Sequence, residues 1–226
     1  MPHLTRDSHV FVLHLGQPGD TAETGTDNRF SPDWLSAAHA LLDEVEASTG
    51  PAAVVTTGTG KFYSNGFEPE RFAGPPAAVS EYLLAGQRLF ARVLAAGLPT
   101  VAAVNGHAFG GGALLAIAHD VRLMRADRGY LCLPEISLGL VIPAGMMRLV
   151  TARLPAQAAH EAMLTGRRYS APQALAAGIV DGVADEGELR AEAVELAEQL
   201  APTRGPVLAA MKQQLYAPTL AALAAV

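Results

Sequence analysis

Polar and apolar positions alternate along "HVFVLHL", residues 9–15, and the β-branched and aromatic residues there predict a first strand. The period then changes. Leu35, Ala38, Leu41, Leu42 and Val45 recur at helical spacing behind Ser31-Pro32, an N-cap followed by a first-turn proline, and Gly50-Pro51 stops the run. Between the two stretches, the Gly, Pro, Asp and Asn clustered over 16–28 read as loop. "AAVVTTG" (52–58) and "TVAAVNG" (100–106) are short, mostly apolar runs with glycine exits, which predict buried strands. The amphipathic segment 79–99 between them carries Tyr82, Leu83, Leu89, Phe90 and Val93 and predicts a long helix. "ALLAIA" after three glycines predicts another helix, and 120–127 and 130–135 predict strands. From residue 143 the pattern is helical, over 143–153, 155–164, 171–177 and 188–201, with Gly166 and Gly178 where helices should end.

Strands that alternate with helices, each strand running into a glycine-rich turn, predict an α/β fold with crossover connections. The expected division is a core over 1–185 and a helical segment over 186–226. The tail "YAPTLAALAAV" is apolar to its last residue, so it must pack on its own domain or on another subunit.

Composition removes several function classes. Half of the residues are hydrophobic and 17% are charged, which marks a folded globular chain. The net charge is −6 and the 16 Lys and Arg are scattered, which argues against a nucleic-acid surface. One cysteine, Cys132, excludes an intrachain disulfide and fits a reducing compartment. "MPHLTRDSHV" has no apolar core of signal-peptide type, and Arg88, Arg92, Pro99, Lys212 and Pro218 interrupt the Ala/Leu stretches before any reaches a membrane span. The ending "AAV" is no peroxisomal address, so the expectation is a soluble, cytoplasmic protein.

Chemistry enters at "GHAFGGGALLAIAHD" (106–120). No Lys-Ser/Thr follows the glycines, so this is no Walker loop, and the spacing from Gly106 to Gly112 does not match a dinucleotide fingerprint. Two readings remain: glycines that permit tight strand-to-helix packing, or a nest of N–H groups at a helix N-terminus that binds an anion. A second stretch, "TTGTGKFYSNGFEPERF" (56–72), repeats the arrangement of buried strand, glycine turn and helix start. Two such turns on parallel strands can converge on one oxygen atom.

These two stretches, followed by "YLCLPEISLGLVIPAG" (130–145) and "TGRRYSAPQALAAGIVDGV" (165–183), resemble the crotonase superfamily, the enoyl-CoA hydratase and isomerase family, over about residues 9–201. The resemblance implies a spiral of strand–strand–helix turns, with C-terminal helices that build homotrimers or hexamers or cover the active site. It implies an acyl-CoA substrate whose thioester carbonyl lies between two backbone amides, here those of Phe67 and Gly111. CoA would arrive with the substrate, and no separate cofactor or metal is expected. Of the family's two glutamates, one is present as Glu135 and the other position holds Leu114. Hydratases of the family use both carboxylates on the attacking water. One carboxylate suffices to move a proton from C2 to C4, so the resemblance points to a Δ3-Δ2-enoyl-CoA isomerase. Gly66, Gly110, Leu114 and Lys61 are further expected substrate contacts.

Other readings stay open beside this one. A hydratase, hydrolase or decarboxylase using the same enolate is the enzymatic alternative, and a non-catalytic acyl-CoA binder is the alternative of another class. Apolar neighbours should raise the pKa of Glu135. Lys61, Arg29 and Arg71 are candidates for CoA phosphates or plain solvated charges, and Glu68 reads as a helix cap. His107 reads as a turn residue bonded to backbone or as a pocket wall, and Asp120 with Arg122 as a structural pair. Cys132 has no neighbouring base, which argues against nucleophilic catalysis.

Overall fold

The computed structural model describes residues 1–225, so the last residue of the expected 186–226 segment lies outside the described residues. The chain opens with an antiparallel pair, β1 (His3–Asp7) and β2 (Val10–His14), followed by helix α1 (Pro32–Ala47). Then one unit recurs. β3 (Ala53–Thr57) is followed by β4 (Phe62–Ser64) and α2 (Pro76–Ala95). β5 (Thr100–Val104) is followed by β6 (His107–Phe109) and α3 (Gly111–Ala118). β7 (Val121–Arg125) is followed by β8 (Leu131–Cys132) and α4 (Ala144–Arg153). The first strand of each unit joins a large sheet of order β1-β2-β3-β5-β7-β9, and the second joins a small parallel sheet of order β4-β6-β8. The expected spiral of strand–strand–helix turns is therefore present. Helices α5 (Ala156–Thr165) and α6 (Ala171–Ala176), strand β9 (Gly182–Ala184), and helices α7 (Leu189–Leu200), α8 (Pro206–Leu215) and α9 (Ala217–Leu223) complete the chain.

The large sheet is buried on both faces, which is why its central strands read as unbroken apolar runs. Val10, Val12, Ala53, Val55, Val101 and Ala103 turn one face towards Leu189, Ala193 and Ala197 of α7. Phe11, Leu13, Val54, Ala102 and Val104 turn the other towards the aromatic and leucine core of α1 to α4. Gly166 ends α5 in the left-handed region at φ +62°, as its position predicted.

Four strands escaped the pattern. β1 is a largely exposed edge strand, and β4, β6 and β9 have three residues each, too few to show a period. The strand expected over 130–135 is only Leu131–Cys132, and Glu135 instead begins a 3₁₀ turn, Glu135–Leu138. The expected Asp120–Arg122 pair is replaced by two longer-range contacts. Arg122 meets Asp181 at 3.1 Å, whereas Asp120 accepts a hydrogen bond from Lys212 of α8 at 2.6 Å and from the hydroxyl and amide of Thr100. The apolar tail packs on its own chain: α9 lies on α4 and α2, Leu223 is buried, and Gln87 donates to the carbonyl of Ala225. No described helix is long and apolar enough to cross a membrane.

Candidate active site

The two glycine turns meet. After β4 the chain turns through Asn65-Gly66-Phe67, with Gly66 at φ +70°, where a Cβ would stand 2.5 Å from the amide nitrogen of Gly111 and 2.8 Å from its Cα. Gly110, the N-cap of α3, has φ +51°, and a Cβ on Gly112 would lie 2.1 Å from the carbonyl oxygen of Ser64. Glycine is required at 66 and 112 because two backbones touch there, and at 110 because of its positive φ. The close-packing reading of the glycines therefore holds, and the same contacts fix where the amides point. Ser64 Oγ donates to the carbonyl of Asn28 at 2.7 Å and accepts from the amide of Gly66 at 3.1 Å. Asn28, itself at positive φ, donates to the carbonyls of Phe62 and Tyr63, and the amide of Phe30 donates to the carbonyl of Gly66.

Within this bonded frame some donors are left over. Gly66, Glu68 and Gly110 all donate their amides, but that of Phe67 and those of the first turn of α3, Gly111 to Ala113, have no acceptor among the described residues, and Phe67 and Gly111 are the pair on the adjoining turns. Gly111 opens α3, so its free N–H adds to the positive end of that helix's dipole. Two unsatisfied amides on adjoining turns can donate to one anionic oxygen.

Glu135 stands beside them. Pro134 leads into its 3₁₀ turn, which Gly139 closes in the left-handed conformation while Leu140 donates to the carbonyl of Glu135 at 2.9 Å. Oε1 of Glu135 lies 3.2 Å from where Gly110 would carry a Cβ, so any side chain at 110 would crowd the carboxylate. Oε2 is buried without a hydrogen-bond partner. Burial accordingly pushes the carboxyl above the usual carboxylate range. Leu114, one turn into α3, is fully buried and brings no polar side-chain atom.

The remaining expected residues divide. Gly66, Phe67, Gly110, Gly111 and Glu135 come together, whereas Lys61 is exposed on the loop before β4, with Nζ 5.3 Å from the Phe62 ring centroid. Arg29 is paired with Asp27 at 2.6 Å, and Arg71 is gripped by the Glu68 carboxylate. Glu68 therefore does not cap the turn Pro69–Ala73 through its side chain, because its carboxylate is spent on Arg71. His107 lies in β6 rather than in a turn. Its ring stacks on Tyr130 at 5.6 Å with Nδ1 buried and unbonded, and its backbone amide donates to the carbonyl of Lys61. Burial pushes the Cys132 thiol up to about 11, far from a nucleophile's range. Asn28, Ser64 and Tyr82 brace the site although none stands out in the sequence: their roles depend on neighbours 14 to 52 residues away.

A family model described as enoyl-CoA hydratase/isomerase matches residues 23–226. The chain is 36% identical to enoyl-CoA delta isomerase 2, peroxisomal, of Arabidopsis thaliana, over 94% of this chain and 91% of that protein. It is 33% identical to carnitinyl-CoA dehydratase of Salmonella typhi, over 93% of this chain and 78% of that one. Its fold superposes on the apo structure of an enoyl-CoA isomerase of Mycobacterium tuberculosis with a TM-score of 0.84, at 26% identity and over 98% of this chain and 93% of that chain.

Proposed function

The chain belongs to the enoyl-CoA hydratase/isomerase family and is an enzyme with that family's fold, and on this premise we propose that it shifts the double bond of a 3-enoyl-CoA to 2-enoyl-CoA. The thioester carbonyl accepts hydrogen bonds from the amides of Phe67 and Gly111. Glu135 removes a proton from C2, and the electrons move onto the carbonyl oxygen as an enolate held by those two donors. The same carboxyl, now protonated, returns the proton at C4, and the double bond settles between C2 and C3. One group serves as base and then acid, and no water enters the bond changes.

The observation that carries this reading is the buried, unpartnered carboxylate of Glu135 beside two free amides, with leucine rather than a second acid at 114. A carboxylate sequestered in this way is a stronger base than a solvated one, and reverts to the acid once it is protonated. Leu114 gives water no anchor, which favours proton transfer over hydration. Gly66 and Gly110 contact the substrate through backbone, Leu114 backs the site from the core without an exposed surface of its own, and Lys61 faces a CoA phosphate; no cofactor beyond the substrate's own CoA is needed. Val207, Met211 and Leu215 form an exposed apolar stripe at i, i+4 and i+8 on α8, which supports assembly as a homotrimer or hexamer. The reducing environment that suits the lone Cys132 supports a cytoplasmic location.

The test is to follow C2 proton exchange of 3-hexenoyl-CoA in deuterated water by NMR, beside hydration of crotonyl-CoA. Exchange accompanied by a double-bond shift, with little hydration, is expected. Binding with neither exchange nor a double-bond shift would leave only an acyl-CoA-binding role, and rapid hydration would overturn the weight placed on Leu114.

A further inference from the structure

Phe67 contributes its amide to the site, but its ring is the more unusual feature. On α2, Tyr82, Gly86 and Phe90 stand at i, i+4 and i+8 and share one face. Gly86 is buried in the interior of a 20-residue helix, where glycine is a poor choice for helix stability. The reason is packing. A Cβ at Gly86 would lie 2.3 Å from Cζ and 2.5 Å from Cε1 of Phe67. The other edge of the ring lies against Gly111, where a Cβ would stand 2.9 Å from Cδ2 and 3.0 Å from Cε2. The ring is thus wedged between two glycines, one in α2 and the other the second amide donor.

Its freedom to retreat is small. Phe30, Tyr82 and Phe90 meet it edge-to-face, with centroids 5.6, 5.3 and 6.2 Å away. Tyr82 Oη also accepts the amide hydrogen of Glu68 at 2.8 Å and donates to the carbonyl of Phe30 at 2.6 Å, which fixes the peptide that follows Phe67. Since Phe30 in turn donates its amide to Gly66, the backbone on both sides of Phe67 is tied to one frame.

We propose that Gly86 is a positioning residue for catalysis: its missing side chain seats the Phe67 ring, and the seated ring sets the separation of the Phe67 and Gly111 amides. The inference rests on reading those two amides as the oxyanion donors. Non-bonded carbon atoms rest about 3.5–4.0 Å apart, so a methyl group at 86 forces the ring or the helix to move by roughly 1 Å. Displacements of about that size at a reacting centre lower turnover by about 10²-fold.

The experiment compares Gly86→Ala with wild type, and repeats the pair on a Phe67→Leu background that lacks the ring. Turnover of 3-hexenoyl-CoA, KM, thermal midpoint and the amide resonances of positions 67 and 111 are measured on the intact protein in both backgrounds. In wild type, Gly86→Ala should lower kcat about 10²-fold with little change in KM, and should shift both amide resonances. On the Phe67→Leu background the same substitution should lower kcat by less than about tenfold, the non-additivity expected of groups in contact. Equal losses in both backgrounds, or unchanged amide resonances, would overturn the proposal. Should Gly86→Ala fail to fold, Tyr82→Phe tests the same frame: it should lower kcat without raising KM, and an unaltered kcat would count against the proposal. If the wild type catalyses neither C2 exchange nor a double-bond shift, the oxyanion reading fails by itself, while the amide resonances still report whether Gly86 couples the two turns.

Discussion

The two ends of α3 treat charge in opposite ways. At the N-terminal end the amide of Gly111 bonds to nothing among the described residues, and the nearby carboxylate of Glu135 has a buried oxygen without a partner. At the C-terminal end nearly everything is satisfied. Arg153 donates to the carbonyls of Ile117, His119 and Asp120, and Arg122 donates to that of His119 at 3.1 Å. The Asp120 carboxylate meets Lys212 and Thr100, and buried His119 shares a hydrogen bond with Thr56 while burial holds its pKa down at about 4. Cations at a helix C-terminus complement its dipole and saturate its last carbonyls. A structural end closes its hydrogen bonds. The other end keeps several open, and unsatisfied groups persist in a folded protein chiefly where a ligand or a reaction completes them.

Substitutions that exchange these properties test the contrast. The largest effect is expected from Glu135→Gln, which keeps the shape and removes the proposed base. Turnover should fall by about 10²- to 10⁴-fold with an unchanged circular dichroism spectrum, and near-normal turnover would remove Glu135 from the mechanism. Next is Gly66→Ala, which strains a residue at φ +70° and drives a methyl group into the Gly111 amide. Loss of one donor should lower kcat about 10²- to 10³-fold, read by steady-state kinetics on 3-hexenoyl-CoA.

At the closed end, Lys212→Met should act on stability instead. It leaves the Asp120 carboxylate without its cation, and removing one partner of such a buried pair costs about 3 kcal/mol. Urea titration should show that loss, with turnover per folded molecule unaltered. A fall in turnover with no loss of stability would break the contrast.

The smallest effect concerns pH. Burial raises the pKa of Glu135 in the folded state, so between the unfolded and folded values the folded protein holds the extra proton. Its stability therefore declines as pH rises through that window. Glu135→Gln should be more stable than wild type at neutral pH, and the difference should close below about pH 4, where the unfolded carboxyl is protonated as well. A difference that did not vary with pH would mean that the carboxyl is not buried in solution.

Much of this contrast is legible in residues alone. The glycines at 66 and 110–112, Glu135 behind Pro134 and the apolar Leu114 are all local features, and so are the helical periods from Ser31 and residue 143 onwards. What escaped is non-local or too short. Three-residue strands such as β4 and β6 carry no period, yet their pairing is what aligns the two turns. Asp120 exchanged the expected Arg122, two residues away, for Lys212, because α8 folds back against the end of β5 and delivers an ammonium group that no spacing announces.

By itself, then, the sequence determined the types of the longer elements and the glycine positions where backbones can touch, because these follow from side-chain chemistry and short-range periodicity, while its resemblance to a family singled out Glu135 and the leucine at 114. Only the tertiary structure decided which amides are left free, that the Glu135 carboxylate is buried rather than solvated, and that Gly86 seats the Phe67 ring. Those properties are relations between segments far apart in the chain. Desolvation and contact distance depend on what packs against a group, and packing is settled only when the sheets and helices close around it.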